Sequence, residues 1–408
     1  MEVEGEGGGD GVKAGLLGRK LGHSLSPQIH RFFGDYEYRL YEKEPEEIGA
    51  FLREVLAVPV GEDADGTEGL GFLNVTIPYK QTVFELCDEL SPMARKLGNV
   101  NFVTRGEDGR LRGDNTDAFG VGRLLDANGI DVRGWNCAIL GAGGAAMTVK
   151  AVLEERAAKR VTFVRRGEEP AQDDDLIVNA TPVGMFPDVD GVRVDISRYV
   201  ASRAVLDLVY NPSPTRLVRE ARDRGKTAAD GMVMLIAQAY RASCLVPRAS
   251  CAEEPRSTRH EAQGTLFLYG PPASGKSTWA KRIAAATGWN LVDLDAEIVK
   301  TEGRSIPEIF AADGEAGFRA VEKRELRRVA SGSGQVVALG GGALLDPESR
   351  KIAEAAGRVI VLDCPLETLK ARLTGGDRPL SADAAKLEAL VASRAAHYAS
   401  FPNHVEMI

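Results

Sequence analysis

Along the chain, short apolar runs of β-like character alternate with stretches of helical periodicity. Gly71-Phe-Leu-Asn-Val-Thr-Ile, Val161-Thr-Phe-Val, Leu176-Ile-Val-Asn-Ala and Ala204-Val-Leu-Asp-Leu are the strand candidates of the first part. Asn290-Leu-Val-Asp-Leu, Gln335-Val-Val-Ala-Leu and Val359-Ile-Val-Leu are those of the second. Strands separated by helices predict parallel sheets covered by helices, an α/β architecture. The alternation breaks at 247–263, PRASCAEEPRSTRHEAQ, where two prolines and many charges occur without periodicity. That stretch is the expected linker. The two parts share no sequence repeat.

Each part contains one glycine-rich loop between a strand-like run and a helical pattern. Gly141-Ala-Gly-Gly-Ala-Ala146 fits G-x-G-x-x-A, and Gly270 to Ser277 fits G-x-x-x-x-G-K-[ST] completely. Glycines let backbone N–H groups wrap phosphates, and the helix that follows adds partial positive charge. In the second loop Lys276 is placed to reach the β/γ-phosphates and Ser277 to hold Mg²⁺. The first fingerprint is short enough to arise in ordinary Gly-Ala turns, so it needs support from its surroundings.

Composition narrows the classes of partner. The 408 residues carry a formal net charge of −8 with no sustained basic stretch, which disfavours nucleic acid and leaves small anionic substrates open. Cys87, Cys137, Cys244, Cys251 and Cys364 show no C-x-x-C spacing, so neither a disulfide framework nor a zinc site is expected. No apolar run approaches the ~20 residues of a membrane span. The acidic, Gly-rich start reads as a flexible tail rather than a signal peptide, which makes a cytoplasmic enzyme the expectation.

Downstream of the second loop, five further segments occur in order: Asp293-Leu-Asp295, Gly314-Glu-Ala-Gly-Phe-Arg319, Gly340-Gly341-Gly342, Arg378-Pro-Leu380, and Arg394 with Tyr398. Taken together they resemble the shikimate kinase family over nearly all of 264–408. The resemblance implies ATP contacts from Gly270, Ala273, Ser274, Gly275, Lys276, Ser277 and Thr278, with Arg372 near the adenine. It further implies that Asp293 assists Mg²⁺ beside Ser277, that Asp295 accepts the proton of the attacking 3-hydroxyl, and that the glycine triplet borders the ring. Arg319 and Arg394 would hold the substrate carboxylate through charge-assisted hydrogen bonds. Arg378 would close over the γ-phosphate. Another small-molecule P-loop kinase is the rival reading of this half.

In the first part, Gly22-His-Ser-Leu-Ser-Pro27, Asn74-Val-Thr-Ile-Pro-Tyr-Lys80, Gly113-Asp-Asn-Thr-Asp117, Asn179-Ala-Thr181 and Ala229-Asp-Gly-Met-Val-Met-Leu-Ile-Ala-Gln238 stand in order. They resemble the shikimate dehydrogenase family over roughly 14–246. The resemblance implies that Lys80 and Asp117 form the catalytic pair, with Lys80 moving the proton as hydride transfers. Ser24 and Ser26 would bind the substrate carboxylate, Thr76, Asn101 and Gln238 its hydroxyls, and Tyr210 would border the site. NADP contacts would come from Gly141, Ala142, Gly143, Gly144, Ala145, Leu208 and Gly231. The competing interpretations are a solvated strand-end lysine for Lys80 and a helix N-cap for Asp117. His23 is expected to shape the serine loop and His30 to begin a helix.

Two departures from that family stand out. Where a 2′-phosphate clasp of the form N-R-[ST] is usual, the chain has Val164-Arg165-Arg166, so NADP is favoured over NAD by charge rather than by a full motif. Only Gly167–Asp175 separates the second strand from the next, too little for a helix and another strand, so a trimmed Rossmann sheet is expected. The expected organisation is a tail at 1–12, a substrate domain at 13–116 plus 227–246, an NADP-binding Rossmann domain at 117–226, the linker, and a P-loop kinase domain at 264–408. The functional expectation is a bifunctional enzyme that reduces 3-dehydroshikimate with NADPH and phosphorylates shikimate with ATP. Two alternatives stay open: an active kinase joined to a weak dehydrogenase-like module, and an NAD-dependent quinate/shikimate dehydrogenase as the first half.

Overall fold

The apolar runs assemble into three sheets, distributed over two compact units, Met1–Ser250 and Cys251–Ile408. The computed structural model describes residues 13–22, 24–56, 70–246, 264–374 and 384–406. The expected tail and linker, His23, Cys251 and the Arg378-Pro-Leu380 segment lie outside the described residues. No helix among the described residues is long and apolar enough to cross a membrane.

The first sheet consists of β1 (Lys13–Gly18), β2 (Glu37–Glu42), β3 (Leu70–Val75), β4 (Glu89–Leu90), β5 (Phe102–Arg105) and β6 (Leu111–Asp114) in the order β2-β1-β3-β5-β6-β4. It is mixed, not parallel as expected: β5 runs antiparallel to both β3 and β6. The β5–β6 pairing follows from the short Gly106–Arg110 connection, in which the Gly106 amide donates to the Arg110 carbonyl at 2.9 Å. So tight a turn can only return the chain antiparallel. Helices α1 (Ser26–His30), α2 (Ile48–Val55), α3 (Lys80–Leu86) and α4 (Pro92–Leu97) alternate with its strands, and α5 (Asp117–Ala127) packs Val121, Leu124 and Leu125 into the core of the next sheet. Leu17, Ile48, Leu52, Leu73, Val83 and Val103 form its buried core.

The second sheet is wholly parallel: β7 (Asn136–Leu140), β8 (Arg160–Val164), β9 (Leu176–Asn179), β10 (Ala204–Asp207) and β11 (Thr227–Ala229), ordered β11-β10-β9-β7-β8. Helices α6 (Gly144–Glu155), α7 (Arg216–Arg222) and α8 (Met232–Leu245) follow in chain order. Because β11 pairs with β10, this sheet extends three residues past the expected boundary at 226. From there α8 returns to the first sheet, where Ala242 packs with Ala14, Phe72 and Phe102. Strand β8 stands at the sheet edge, the trimmed form expected from the short 165–175 connection. Three successive aspartates fasten that connection. Asp173 and the buried Asp174 pair with Arg160 at 2.7 and 2.9 Å, and Asp175 accepts from the Asn136 amide at 3.0 Å.

In the second unit, β12 (Thr265–Tyr269), β13 (Asn290–Asp293), β14 (Gln335–Ala338), β15 (Arg358–Asp363) and β16 (His404–Glu406) form a parallel sheet ordered β13-β14-β12-β15-β16. Its helices are α9 (Lys276–Thr287), α10 (Leu294–Glu302), α11 (Ile306–Ala330), α12 (Pro347–Ala356), α13 (Leu366–Thr374) and α14 (Ala384–Ala399). A Ser305/Glu308 capping box starts α11, and Gly314, with φ of 70°, kinks it. The neighbours of central β12 depart to opposite sides, and such a switch point opens a crevice at the carboxyl ends of the strands.

Candidate active sites

At the end of β3 the chain makes a turn in which the Tyr79 amide donates to the Thr76 carbonyl at 3.0 Å, and Lys80 opens α3. Its ammonium meets Asp117 at 2.5 Å, with side-chain exposures of 17% and 9%. Lys80 is therefore not a solvated strand-end lysine. Asp117 is not the cap of α5 either, because Asn115 Oδ1 accepts from the Asp117 and Ala118 amides at 3.0 and 3.3 Å. The Asp117 carboxylate is thus left facing the ammonium.

Around this pair the polar groups interlock. Asn101 donates to Thr116 Oγ1 at 3.1 Å and accepts from the Thr116 amide at 2.7 Å, while Thr116 Oγ1 lies 3.5 Å from Gln238 Oε1. Ser24 and the buried Ser26 are joined by a 3.2 Å bond from the Ser26 amide to Ser24 Oγ. Tyr210 is hydrogen-bonded to Ser24, and burial pushes its phenol above the ordinary range. Thus Tyr210, following β10, meets the serine loop of the first sheet. His30 closes α1 rather than beginning a helix. It is fully buried, stacked on Tyr38 with 4.2 Å between centroids, and burial lowers it to about 3.

The first glycine loop leaves β7 through Gly141, whose φ is 107°, and enters α6 at Gly144. At Gly143 and Gly144 the place a Cβ would occupy has no neighbour within 4 Å. The backbone at the N-terminus of this 12-residue helix is therefore open to approach, the setting in which helix amides can receive an anion. Ala142 is exposed and Ala145 half-buried beside it. A Cβ on Gly231 would lie 2.1 Å from the Leu208 carbonyl oxygen, so these two backbones are in direct contact where cofactor contacts were expected. Arg165 and Arg166 are exposed just past β8.

In the second unit, Gly270 (φ 131°), Ala273 (φ 65°) and Gly275 (φ 94°) bend the loop between β12 and α9. Lys276 is folded into it, donating to the Gly270 and Pro271 carbonyls at 3.0 and 2.7 Å. Burial lowers Lys276 to about 8 against the opposing pull of Asp295 and Asp293. The buried Ser274 hydroxyl has no partner, and Ser277 and Thr278 are exposed. Ser277 Oγ lies 3.2 Å from Asp293 Oδ2, while Asp293 Oδ1 caps α10 through the Asp295 amide at 3.1 Å. Two oxygens from different elements thus stand together, a pairing that suits a hard cation. Arg372 reaches the loop at Ala273 O, 3.4 Å away.

The acceptor groups border the same loop. A Cβ on Gly340 would stand 3.3 Å from Asp295 Oδ1 and 3.1 Å from Glu322 Oε1, and one on Gly342 would press on the Arg319 guanidinium at 2.7 Å. The Gly341 carbonyl accepts from Arg394 at 3.0 Å and from Tyr398 at 2.7 Å. Arg319 is engaged by Glu322 at 2.5 Å. Asn115 and Glu322 have no role in the sequence-based assignment. Both were within reach of it: Asn115 sits inside the Gly113–Asp117 motif, and Glu322 lies three residues beyond Arg319 on the same helix.

The shikimate dehydrogenase substrate binding domain family matches residues 16–103, and the shikimate kinase family matches 272–407. A shikimate dehydrogenase (NADP(+)) of Clostridium beijerinckii is 35% identical over 251 residues, covering 56% of this chain and 89% of its own. A chorismate mutase/shikimate 5-dehydrogenase fusion protein from Clostridium acetobutylicum is 31% identical with a TM-score of 0.52, over 60% of this chain and 93% of its own. Shikimate 5-dehydrogenase from Thermus thermophilus, solved in complex with NADP(H) and shikimate, is 30% identical with a TM-score of 0.50, over 58% and 95%.

Proposed function

The chain belongs to the shikimate dehydrogenase family and carries a shikimate kinase domain behind that part, and from this we propose two consecutive reactions on one polypeptide. The first is reduction of 3-dehydroshikimate to shikimate with NADPH, and the second is phosphorylation of the shikimate 3-hydroxyl by ATP with Mg²⁺. The observation that carries the proposal is the 2.5 Å Lys80–Asp117 pair inside the Asn101, Thr116 and Gln238 network.

NADPH supplies hydride to the keto carbon when bound. Lys80 gives its proton to the oxygen as charge develops there, and takes it back in the reverse direction. Asp117 holds the ammonium in place and receives a substrate hydroxyl. Ser24 and Ser26 bind the carboxylate, Thr76 and Asn101 the ring hydroxyls, and Tyr210 closes that side. Gly141 to Ala145 receive the dinucleotide, with the Leu208 and Gly231 backbones bordering it, and Arg165 with Arg166 supports NADP over NAD.

In the second half, Lys276 and the loop amides receive the phosphates of ATP. Ser277 and Asp293 hold Mg²⁺, which neutralises phosphate charge when bound. Asp295 orients the 3-hydroxyl and accepts its proton, while Arg319 and Arg394 fix the carboxylate beside Gly340, Gly341 and Gly342. Arg372 borders the adenine, and Arg378, outside the described residues, is assigned to the γ-phosphate.

An assay with 3-dehydroshikimate, NADPH, ATP and Mg²⁺ tests both steps if NADPH loss and shikimate 3-phosphate are followed separately. Both signals are expected. Phosphate product from supplied shikimate without NADPH consumption would replace the first step with a dehydrogenase-like binding module, the alternative that the edge position of β8 keeps in view.

A further inference from the structure

Three donors converge on one oxygen of the glycine triplet that follows β14. The Gly341 carbonyl accepts from Tyr398 Oη at 2.7 Å, from Arg394 Nη1 at 3.0 Å and from Tyr269 Oη at 3.4 Å. Tyr398 and Arg394 stand one turn apart on α14, whereas Tyr269 ends β12 and leads straight into the phosphate loop. The Tyr269 hydroxyl also accepts from the Leu344 amide, so it spans the turn from Gly341 to Leu344. Arg394 in addition donates to the Tyr398 hydroxyl. The two loops themselves lie back to back. A Cβ on Gly341 would stand 3.3 Å from both the Gly270 carbonyl oxygen and Pro272 Cδ.

Both phenols are built into the core, Tyr269 at 0% and Tyr398 at 6% exposure. Their rings meet edge to face with centroids 5.2 Å apart, and Phe401 and His397 close on Tyr269 at 5.4 and 5.8 Å. Close packing of this kind fixes the rings and so aims the hydroxyls. Burial raises both phenols above their ordinary range, so each keeps the proton it donates. A buried hydroxyl costs free energy unless it is bonded, and Phe401 shows that the cluster accepts a ring without one. The two hydroxyls are therefore explained by what they hold.

We propose that Tyr269 and Tyr398 are positioning residues for phosphoryl transfer: their hydroxyls fix the acceptor loop, and with it Arg394, at a set distance from the phosphate loop. The inference rests on the kinase assignment above and deepens it. Tyr269 ties the acceptor loop to the strand that carries the phosphate loop, and Tyr398 ties it to the guanidinium assigned to the shikimate carboxylate. A displacement of about 1 Å between attacking hydroxyl and phosphate is enough to lose much of the rate. A loop fixed before the substrate arrives also spares the ordering cost of binding.

Tyr269→Phe and Tyr398→Phe keep the rings and remove one hydroxyl each. Initial rates of shikimate 3-phosphate formation by the full chain, at varied shikimate and at varied ATP, test the proposal. Each variant should raise KM for shikimate about fivefold, the usual effect of losing one hydrogen bond, and leave KM for ATP within about twofold. The double variant should raise it by less than the product of the two, because both hydroxyls act on one carbonyl. A merely structural loss would lower the amount of active enzyme, hence the apparent kcat, and move neither KM. An unchanged KM for shikimate in either variant, or a KM for ATP that rises as much, would overturn the proposal. If Tyr269→Phe does not fold, Tyr398→Phe carries the same comparison. Wild-type protein that phosphorylated no shikimate would instead overturn the kinase assignment.

Discussion

Asp117 is free to hold Lys80 at 2.5 Å because Asn115, two residues earlier, has taken over the first amides of α5. The Asn115 amide is itself oriented by a 2.6 Å bond to Asn99 Oδ1. Asn115→Ala should cost about 1 kcal/mol of stability, the usual effect of losing a cap. Its effect on reduction should be larger than that, because the Asp117 carboxylate becomes the nearest acceptor for its own helix start. Lys80→Met should lower kcat for 3-dehydroshikimate by about 10²- to 10⁴-fold. Phosphorylation of supplied shikimate, measured on the same samples, should be unchanged by either substitution. Full reductase kcat in Asn115→Ala would refute the link between cap and pair.

The strands around both glycine loops were legible because Leu176-Ile-Val-Asn and Val359-Ile-Val-Leu are buried apolar runs and Val161-Thr-Phe-Val, though buried only at Val164, is mostly apolar and ends in Arg-Arg-Gly. The antiparallel β5–β6 hairpin was not. Its strands, Phe-Val-Thr-Arg and Leu-Arg-Gly-Asp, are short and half polar, and only the pairing partner reveals them. The shortened connection after β8 could be counted directly, whereas its locking by Asp173, Asp174 and Asp175 depends on contacts with strand starts far away in sequence. The site residues were legible where a motif fixes their spacing. Asn115 and Glu322 stand at readable positions beside Asp117 and Arg319, but the contacts that give them a role appear only in the fold.

Lys276 ties nucleotide affinity to pH. Burial among loop carbonyls lowers its ammonium to about 8, so the free enzyme loses that positive charge as pH rises through about 8. Only the charged form attracts the phosphates. The Kd for ATP should therefore be flat at lower pH and climb above about 8, with the climb absent in Lys276→Ala. Equilibrium titration with ATP from pH 6.5 to 9.5 would read it, and a wild-type curve flat throughout would count against a neutralising lysine.

His30 should make the first unit acid-sensitive. Burial holds the folded imidazole neutral down to about 3, whereas in the unfolded chain it titrates near its ordinary 6.5. Between those values the unfolded state binds more protons, so stability falls as pH drops through 6.5. The loss on going from pH 7.5 to 5 is roughly 2 kcal/mol from this group alone. His30→Phe, which keeps a ring against Tyr38 and Phe72, should flatten the dependence by that amount. Urea unfolding at the two pH values measures it, and equal pH sensitivity in variant and wild type would exclude His30 as the source.

Glu322 is the buried carboxyl that engages Arg319, the residue proposed above to bind the shikimate carboxylate. Its side chain is 4% exposed, it holds Arg319 at 2.5 Å, and burial pushes its carboxyl above the usual range despite the nearby guanidiniums. Among the described residues the only other carboxylate paired with Arg319 is the exposed Glu315, at 3.5 Å. Glu322→Gln keeps the volume but removes the charge, so Arg319 should drift toward Glu315 and away from the substrate carboxylate. The expected result is a KM for shikimate raised about tenfold, equivalent to ~1.4 kcal/mol, with KM for ATP unchanged. Acidification works in the same direction. A carboxyl whose affinity for protons is raised is the first to be neutralised as pH falls, so KM for shikimate should climb on the acid side in wild type and stay level in Glu322→Gln. Initial rates at varied shikimate and fixed saturating ATP separate the two constants, and parallel pH profiles in wild type and variant would show that Arg319 is positioned without Glu322.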